Sequence, residues 1–579
     1  MVVRWKKTLS AVVLTASLLS SGYSAYAAGD LPVAAEQTSA VYSLTEALSV
    51  EVKSVLNERN DTGSRIGIVV KMENNSGRNA RVPDYEVRVR TSDGLQYTLQ
   101  PSATNARTVQ PKEKIELSYM TSVDRTGFNV SEISWVDIDM YVYPKVETEM
   151  LTVPVQQLEW TGSGDEINRQ GAVLKWGESF TIPSLTSPLR YTPSKVEEEN
   201  TPTGPVKLIT LLVENPGTTM ETVPDFMLEG KSGKSVFKGQ RAETEPITLE
   251  PGEREYIHYA IPVKNNVDLE SFNLLTQENF MVADPTGKLT PIPYEIGRLN
   301  VVLPGKTGFS LHGLNRYVMD TPMKVDDVNS LIHPDVDVSL VELYMHENQG
   351  EGYKTAIAKF KLRNKGEQPV PVPVFDVDLK NSGGYTYSGV RQISSTEKLM
   401  PNLSYTVSYS FAIPESENEE KLGLFLVDSQ TAKPYRTTIS AYQTEIMKQD
   451  ETSSRLSFYP FDVELKDWTL LTSTNPMPGY VTYSYKLQLD LDIQRKDRVV
   501  LDQSFSTMKV ELIDTLGRTI AQEHFSFTGM NRLISGVQTV EFKDLRTDQY
   551  EYPLTIRIYE AIETPQGEAK RLVKTLKQH

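Results

Sequence analysis

Residues 206–263 read VKLITLLVENPGTTMETVPDFMLEGKSGKSVFKGQRAETEPITLEPGEREYIHYAIPV. Ile209, Leu211 and Val213 recur at every second position, the period of a strand with one buried face. Asn215-Pro216-Gly217 ends that strand with turn chemistry. Pro224 heads a second strand carrying Phe226 and Leu228, where the missing proline N–H costs the ladder little. Pro251-Gly252 is a further turn, and Ile257 and Tyr259 share the inward face of the strand after it.

The same landmarks occur three times. Asn74, Pro83, Pro111 and Tyr119 form the first set; Asn215, Pro224, Pro251 and Tyr259 the second; Asn364, Pro373, Pro401 and Tyr409 the third. Asn to the first Pro is 9 residues in every set, the two prolines are 28, 27 and 28 apart, and the second Pro to Tyr is always 8. The period is 141 and then 149 residues, so one unit is used three times. Ile66, Ile68, Val70 and Met72, and then Ala358, Phe360 and Leu362, repeat the inward parity of Ile209, Leu211 and Val213. That patterning predicts antiparallel sheets with one apolar and one wet face. Each landmark Tyr is expected inside, with its hydroxyl anchored to nearby backbone.

The segment from Val206 to Val263 resembles the immunoglobulin-like, telokin-like domains of unknown function common in secreted proteins of Gram-positive bacteria. Asn215, Gly217, Asp225, Phe226, Leu228, Gly233, Phe237, Leu249, Pro251, Gly252, Glu253, Ile261 and Pro262 carry the resemblance. Unit one departs from it at Lys112 and unit three at Asn402, where the turns are expected to differ. The resemblance implies a β-sandwich and extracellular placement; it implies no reaction and carries no catalytic residues.

The expected fold is all-β: tandem immunoglobulin-like antiparallel β-sandwiches in an elongated array. Residues 28–155 are assigned to repeat 1, 156–300 to repeat 2 behind a long junction, 301–447 to repeat 3, and 448–579 to a divergent C-terminal sandwich. In that last part Tyr483, Tyr485, Leu487, Leu489, Leu491 and Ile493 still alternate with polar residues. Helix is arguable only at 43–58, which reads equally as a first strand, and in the last ten residues.

The N-terminus reads as a cleaved signal peptide, residues 1–27. Arg4, Lys6 and Lys7 precede a short apolar run from Leu9 to Leu19, and Ala25-Tyr26-Ala27 is a small-x-small cleavage site. The apolar run is shorter than the roughly 20 residues of a spanning helix. No later stretch reaches that length, so no membrane-spanning segment is expected in the mature protein. With no cysteine, each domain must be held by its own apolar core. The formal charge of −16 becomes more negative when the basic leader is removed, which disfavours nucleic acid as a partner.

No catalytic, cofactor or metal residue is nominated. No two of the six histidines have the spacing of a helical zinc pair, and there is neither a nucleophile elbow nor a phosphate-binding glycine loop. His258 reads as a solvated strand residue facing away from Tyr259. The pairs Asp137/Asp139, Asp335/Asp337, Asp376/Asp378 and Asp490/Asp492 read as outward polar faces, without the spacing of a calcium loop. Trp135 and Trp468 are expected in cores, while Trp160 and Trp176, flanking a Gly-rich run, are the candidate ligand-facing aromatics. Two readings follow. The first is a non-enzymatic envelope protein whose repeats act as spacer and protein-interaction surface, accessory to an envelope transport or export complex. The alternative is an array of carbohydrate- or cell-wall-binding modules. The partner is accordingly an envelope protein or a cell-wall glycan.

Overall fold

The computed structural model describes residues 40–578 apart from 170, 306–308, 349, 451, 478–479 and 543–549. The expected signal peptide lies outside the described residues. Those described form mainly antiparallel sheets, with a few short parallel additions, two short 3-10 turns and no α-helix. Both arguable helices are strands, Leu48–Asn60 and Gly567–Lys577. The chain divides into two compact units between Lys306 and Thr307.

The first unit holds repeats 1 and 2. In repeat 1, Leu48–Asn60, Gly63–Asn74 and Lys114–Val123 pair in one layer. Glu86–Thr91, Val130–Asp139 and Val146–Pro154 pair in the other, and Gln96–Pro101 reaches both. Repeat 2 has the same plan, with Arg190–Thr201, Gly204–Glu214 and Arg254–Pro262 facing Met227–Ser232, Ser271–Ala283 and Leu289–Val302. In the second unit, repeat 3 sets Val336–Glu347, Tyr353–Asn364 and Ser404–Pro414 against Asp376–Lys380, Lys421–Asp428 and Thr437–Glu445. The alternating residues of all three central strands are buried between the layers, as their parity requires.

The landmark asparagines explain why the spacing is kept. Each is buried and turns its amide onto backbone that would otherwise be orphaned. Asn74 Nδ2 donates to the carbonyls of Arg78 (2.7 Å) and Val109 (2.9 Å), and Oδ1 accepts from the Ser76 N–H (2.9 Å). Asn215 does the same with Thr219 (2.8 Å), Leu249 (3.0 Å) and Gly217 (3.0 Å). Asn364 repeats it with Gln368 (2.8 Å), Leu399 (2.9 Å) and Gly366 (2.9 Å). One side chain thus closes the turn after its own strand and ties it to the segment leading into the proline turn. Tyr259 Oη donates to Phe226 O (3.1 Å) and Tyr409 Oη to Phe375 O (2.6 Å), and Tyr119 is buried on the same face. The expected difference at Lys112 and Asn402 is absent: Lys112 (φ 64°), Gly252 (φ 78°) and Asn402 (φ 59°) all take the left-handed conformation.

The C-terminal sandwich has two four-stranded sheets, one containing Phe461–Met477, Tyr480–Arg495 and Gly536–Glu541. In every repeat the first strand slips register by one residue, at Val52/Ser54, Pro193/Lys195 and Leu340/Glu342. The partners Val70, Leu211 and Phe360 each stand four residues before the landmark Asn. The same slip occurs at Leu465/Asp467, opposite Leu491, and four residues on stands Arg495. Arg495 Nη2 donates to the Val499 carbonyl, the same four-residue reach that the asparagines make. This sandwich therefore keeps the first strand pair of the repeat, with arginine in place of asparagine.

The expectation of wet outer faces needs correction. In repeat 1, Leu56, Val69 and Met120 point away from their own sandwich and join the core of repeat 2 against Trp160 and Tyr294. Arg298 of repeat 2 donates to the Lys53 carbonyl (3.2 Å) and pairs with Glu278 (2.7 Å), which also meets Lys53 (3.2 Å). The outer face of repeat 3 is covered in the same way by the C-terminal sandwich. Lys359 and Glu342 from the repeat meet Glu560 and Arg571 there, all four buried. Between repeats 1 and 2 the apolar outer residues Leu56, Val69 and Met120 are the physical reason, since covering them removes apolar surface from water, whereas repeat 3 and the C-terminal sandwich meet through the four buried charges.

Candidate functional site

Trp160 is not a ligand-facing aromatic. Glu159–Trp160 adds in parallel to Leu48–Asn60, and the indole is only 3% exposed. It packs over Gly297, where a Cβ would lie 2.7 Å from the ring, so glycine makes the room. Trp176 is half-buried against the core of repeat 2. The Gly-rich run between them folds the tryptophans inward. Trp135 is buried as expected, and Trp468 is half-buried.

His258 is also corrected. It does face away from Tyr259, but that face is covered: His258 is 3% exposed, with Nδ1 2.6 Å from Glu243 Oε1. Asp378 is likewise buried, held bidentately by Arg436 at 2.9 and 3.0 Å. Asp337 pairs with Lys365 (2.8 Å), while Asp137 and Asp139 are exposed. The buried carboxylate of Asp378 is thus spent on an ion pair rather than left reactive. Glu560 shows this most fully. Burial opposes its ionisation, but Lys359 and Arg571 outweigh that and hold its carboxyl well below the ordinary range.

The surface groups free to meet a partner are aromatics that the sequence reading did not single out. The first set is the hairpin joining Val130–Asp139 to Val146–Pro154. Its tip, Met140-Tyr141-Val142-Tyr143-Pro144-Lys145, exposes Tyr141 by 100% and Tyr143 by 98%, with Met140, Val142 and Val146 also open. Asp139 Oδ1 accepts from the Tyr141 N–H (2.9 Å) and holds the start of the tip. Below it runs an acidic collar of Asp137, Asp139, Glu147 and Glu149, all exposed. Arg88 donates to Glu147 (2.8 Å) and keeps that carboxyl below its usual range. Hairpin tips ordinarily carry Gly, Asn, Asp or Ser, which are compatible with water and with turn geometry. A run of Met, Tyr and Val at a tip was the available sequence signal, and it marks a surface awaiting contact.

The second set is on the C-terminal sandwich. The rings of Tyr550 and Tyr552 lie 6.1 Å apart and 8° from parallel, and Tyr483 is 5.5 Å from Tyr550. Tyr550 and Tyr552 are each about half exposed. Their near-parallel rings offer flat π faces to apolar C–H groups.

No protein-family model matches the chain, and no curated protein matches it significantly. Among solved structures it is similar to an uncharacterised β-sandwich protein from Clostridium difficile 630, with 11% identity and a TM-score of 0.17 over 25% of this chain and 100% of that one. It is similar to a protein of unknown function from Porphyromonas gingivalis W83, with 14% identity and a TM-score of 0.14 over 45% of this chain and 100% of that one. Dimeric latent PorU from Porphyromonas gingivalis gives 10% identity and a TM-score of 0.13 over 69% of this chain and 35% of that one.

Proposed function

We propose that this is an exported, non-enzymatic envelope protein whose immunoglobulin-like, telokin-like sandwiches act as a spacer and present a docking surface to another envelope protein. The resemblance of residues 206–263 and the leader-like N-terminus support export from a Gram-positive cell. The observation that carries the reading is the Met140–Lys145 tip: two fully exposed tyrosines above four acidic side chains. Such a tip suits an apolar pocket rimmed by Lys or Arg, and its collar repels anionic polymers and lipid heads. An accessory role in an envelope transport or export complex is the setting in which such a tip would act.

The second reading, a glycan-binding module array, rests on Tyr550 and Tyr552 in place of the buried Trp160. Retention of the mature protein on envelope fractions separates the two. Under the first reading, protease treatment of the envelope abolishes retention and soluble glycan fragments do not compete. Under the second, soluble glycan competes and protease treatment has no effect.

A further inference from the structure

A second surface of the chain has the opposite charge. Between the C-terminal sandwich and the turn of repeat 3 at Leu403 lies a groove of about 710 Å³, within the roughly 300–1,000 Å³ of small-ligand sites. Three arginines line it, Arg495, Arg498 and Arg532, and no acidic residue does, in a chain with 76 Asp and Glu against 60 Lys and Arg. Arg495 is committed to the Val499 and Asp497 carbonyls and lies over the Phe461 ring. Arg498 and Arg532 are exposed, and neither has a carboxylate partner among the described residues. They come from separate loops, one following Tyr480–Arg495 and one containing Phe527 and Leu533. The remaining walls are mostly apolar, among them Leu403, Phe461, Phe527 and Leu533, with Thr528 as the one other polar side chain.

We infer that this groove binds a small amphiphilic anion, its carboxylate or phosphate held by Arg498 and Arg532 and its apolar body laid along Leu403 and Leu533. Guanidinium forks match both acid groups, and they are free here because no side chain neutralises them. The aliphatic walls would be idle for a purely ionic ligand, and the arginines for a neutral one. The shared chemistry is an acid head on an alkyl chain, whose source is either a fatty acid or a phosphorylated lipid.

The test is a titration of the whole mature chain with dodecanoate, dodecyl phosphate, inorganic phosphate and dodecanol, each kept below its aggregation threshold. The inference expects one saturable site for at least one of the two amphiphilic acids. The tighter of the two names the source. Inorganic phosphate and dodecanol should each bind about tenfold more weakly or worse, since each lacks half of the recognition. Arg498→Gln with Arg532→Gln should weaken the acid by about tenfold or more. Both residues are exposed, so the melting temperature should not move. Arg498→Lys with Arg532→Lys should restore part of the binding. No saturable binding, dodecanol or phosphate binding as tightly as the amphiphilic acid, or unchanged affinity in the glutamine variant would each overturn the inference.

Discussion

The ammonium of Lys359, on the outer face of repeat 3, lies 2.6 Å from the carboxylate of Glu560 on the C-terminal sandwich, and both residues are cut off from solvent. Glu342 and Arg571 complete a neutral set of two cations and two anions, and Ser506 Oγ donates to Glu560 (2.6 Å). A buried set of this kind contributes little net stability against an apolar replacement, but it penalises loss of any one member. Lys359→Met should therefore destabilise the second unit by about 3–5 kcal/mol, because Glu342 and Glu560 are left with one cation. Adding Glu560→Leu should recover part of the loss. A urea melt of the single and double variants checks this, and a fully additive double variant would contradict it.

Acid should act on this unit in two stages. His346, half-buried beside the Tyr559 ring, is pushed down to about 4 by desolvation of its ring. An unfolded histidine titrates near pH ~6.5, so the unfolded chain takes the proton first. Its contribution is complete above pH ~6.5 and is lost as pH falls toward about 4. Glu560 is held well below the ordinary glutamate value by Lys359 and Arg571, so its share is complete above ~4.3 and lost as pH falls below it. His346→Asn should flatten the upper part of the stability profile and leave the lower part unchanged. Urea midpoints between pH 7 and pH 3, roughly spanning both ranges, read this directly.

The landmark asparagines should be intolerant of a change that preserves shape. Asn215→Asp keeps the acceptor for the Gly217 N–H but removes both donors, leaving the Thr219 and Leu249 carbonyls facing a carboxylate. The expected cost is on the order of 1–3 kcal/mol for each orphaned group. Asn215→Ala should be no worse. If Asp were tolerated and Ala were not, packing rather than amide donation would be the role of this residue.

The neighbours His258 and Tyr259 should now both be sensitive. Tyr259→Phe removes one buried hydrogen bond, about 1 kcal/mol, while Tyr259→Ala should cost about 3–5 kcal/mol. His258→Ala removes the imidazole from the half-buried Glu243 carboxylate, which keeps the residue-258 N–H (3.0 Å) and Arg241 (3.5 Å), and leaves a gap on a covered face, so it should cost about 1 kcal/mol. Thermal melts of the three variants check the order. A silent His258→Ala would return that face to solvent.

What the sequence made legible follows from what repeats. The Asn, Pro and Tyr spacings encode turns and an inward parity, and local geometry reproduces them at Asn74, Asn215 and Asn364. Lys112 and Asn402 fill a left-handed position usually given to glycine, so identity alone misread a shared backbone. Parity says which residues share a face, yet not what covers that face. His258, Trp160 and Lys359 were therefore hidden, since their partners Glu243, Gly297 and Glu560 are 15, 137 and 201 residues away. The exposed tyrosines at 141 and 143 stand outside the repeated landmarks, so nothing in the spacing marked them, and their exposure depends on where the hairpin turns.

The most direct test of the docking reading places a photo-crosslinking amino acid at position 141 or 143 and illuminates the protein in the producing cell. One discrete protein adduct should form from both positions. That adduct should be absent from a matched probe at exposed Leu516, on another hairpin. Asp137→Lys with Glu149→Lys should weaken it, because a cationic rim would then be repelled. No adduct at either tyrosine position, or an adduct to glycan that soluble cell-wall fragments abolish, would mean that the Met140–Lys145 tip does not dock a protein.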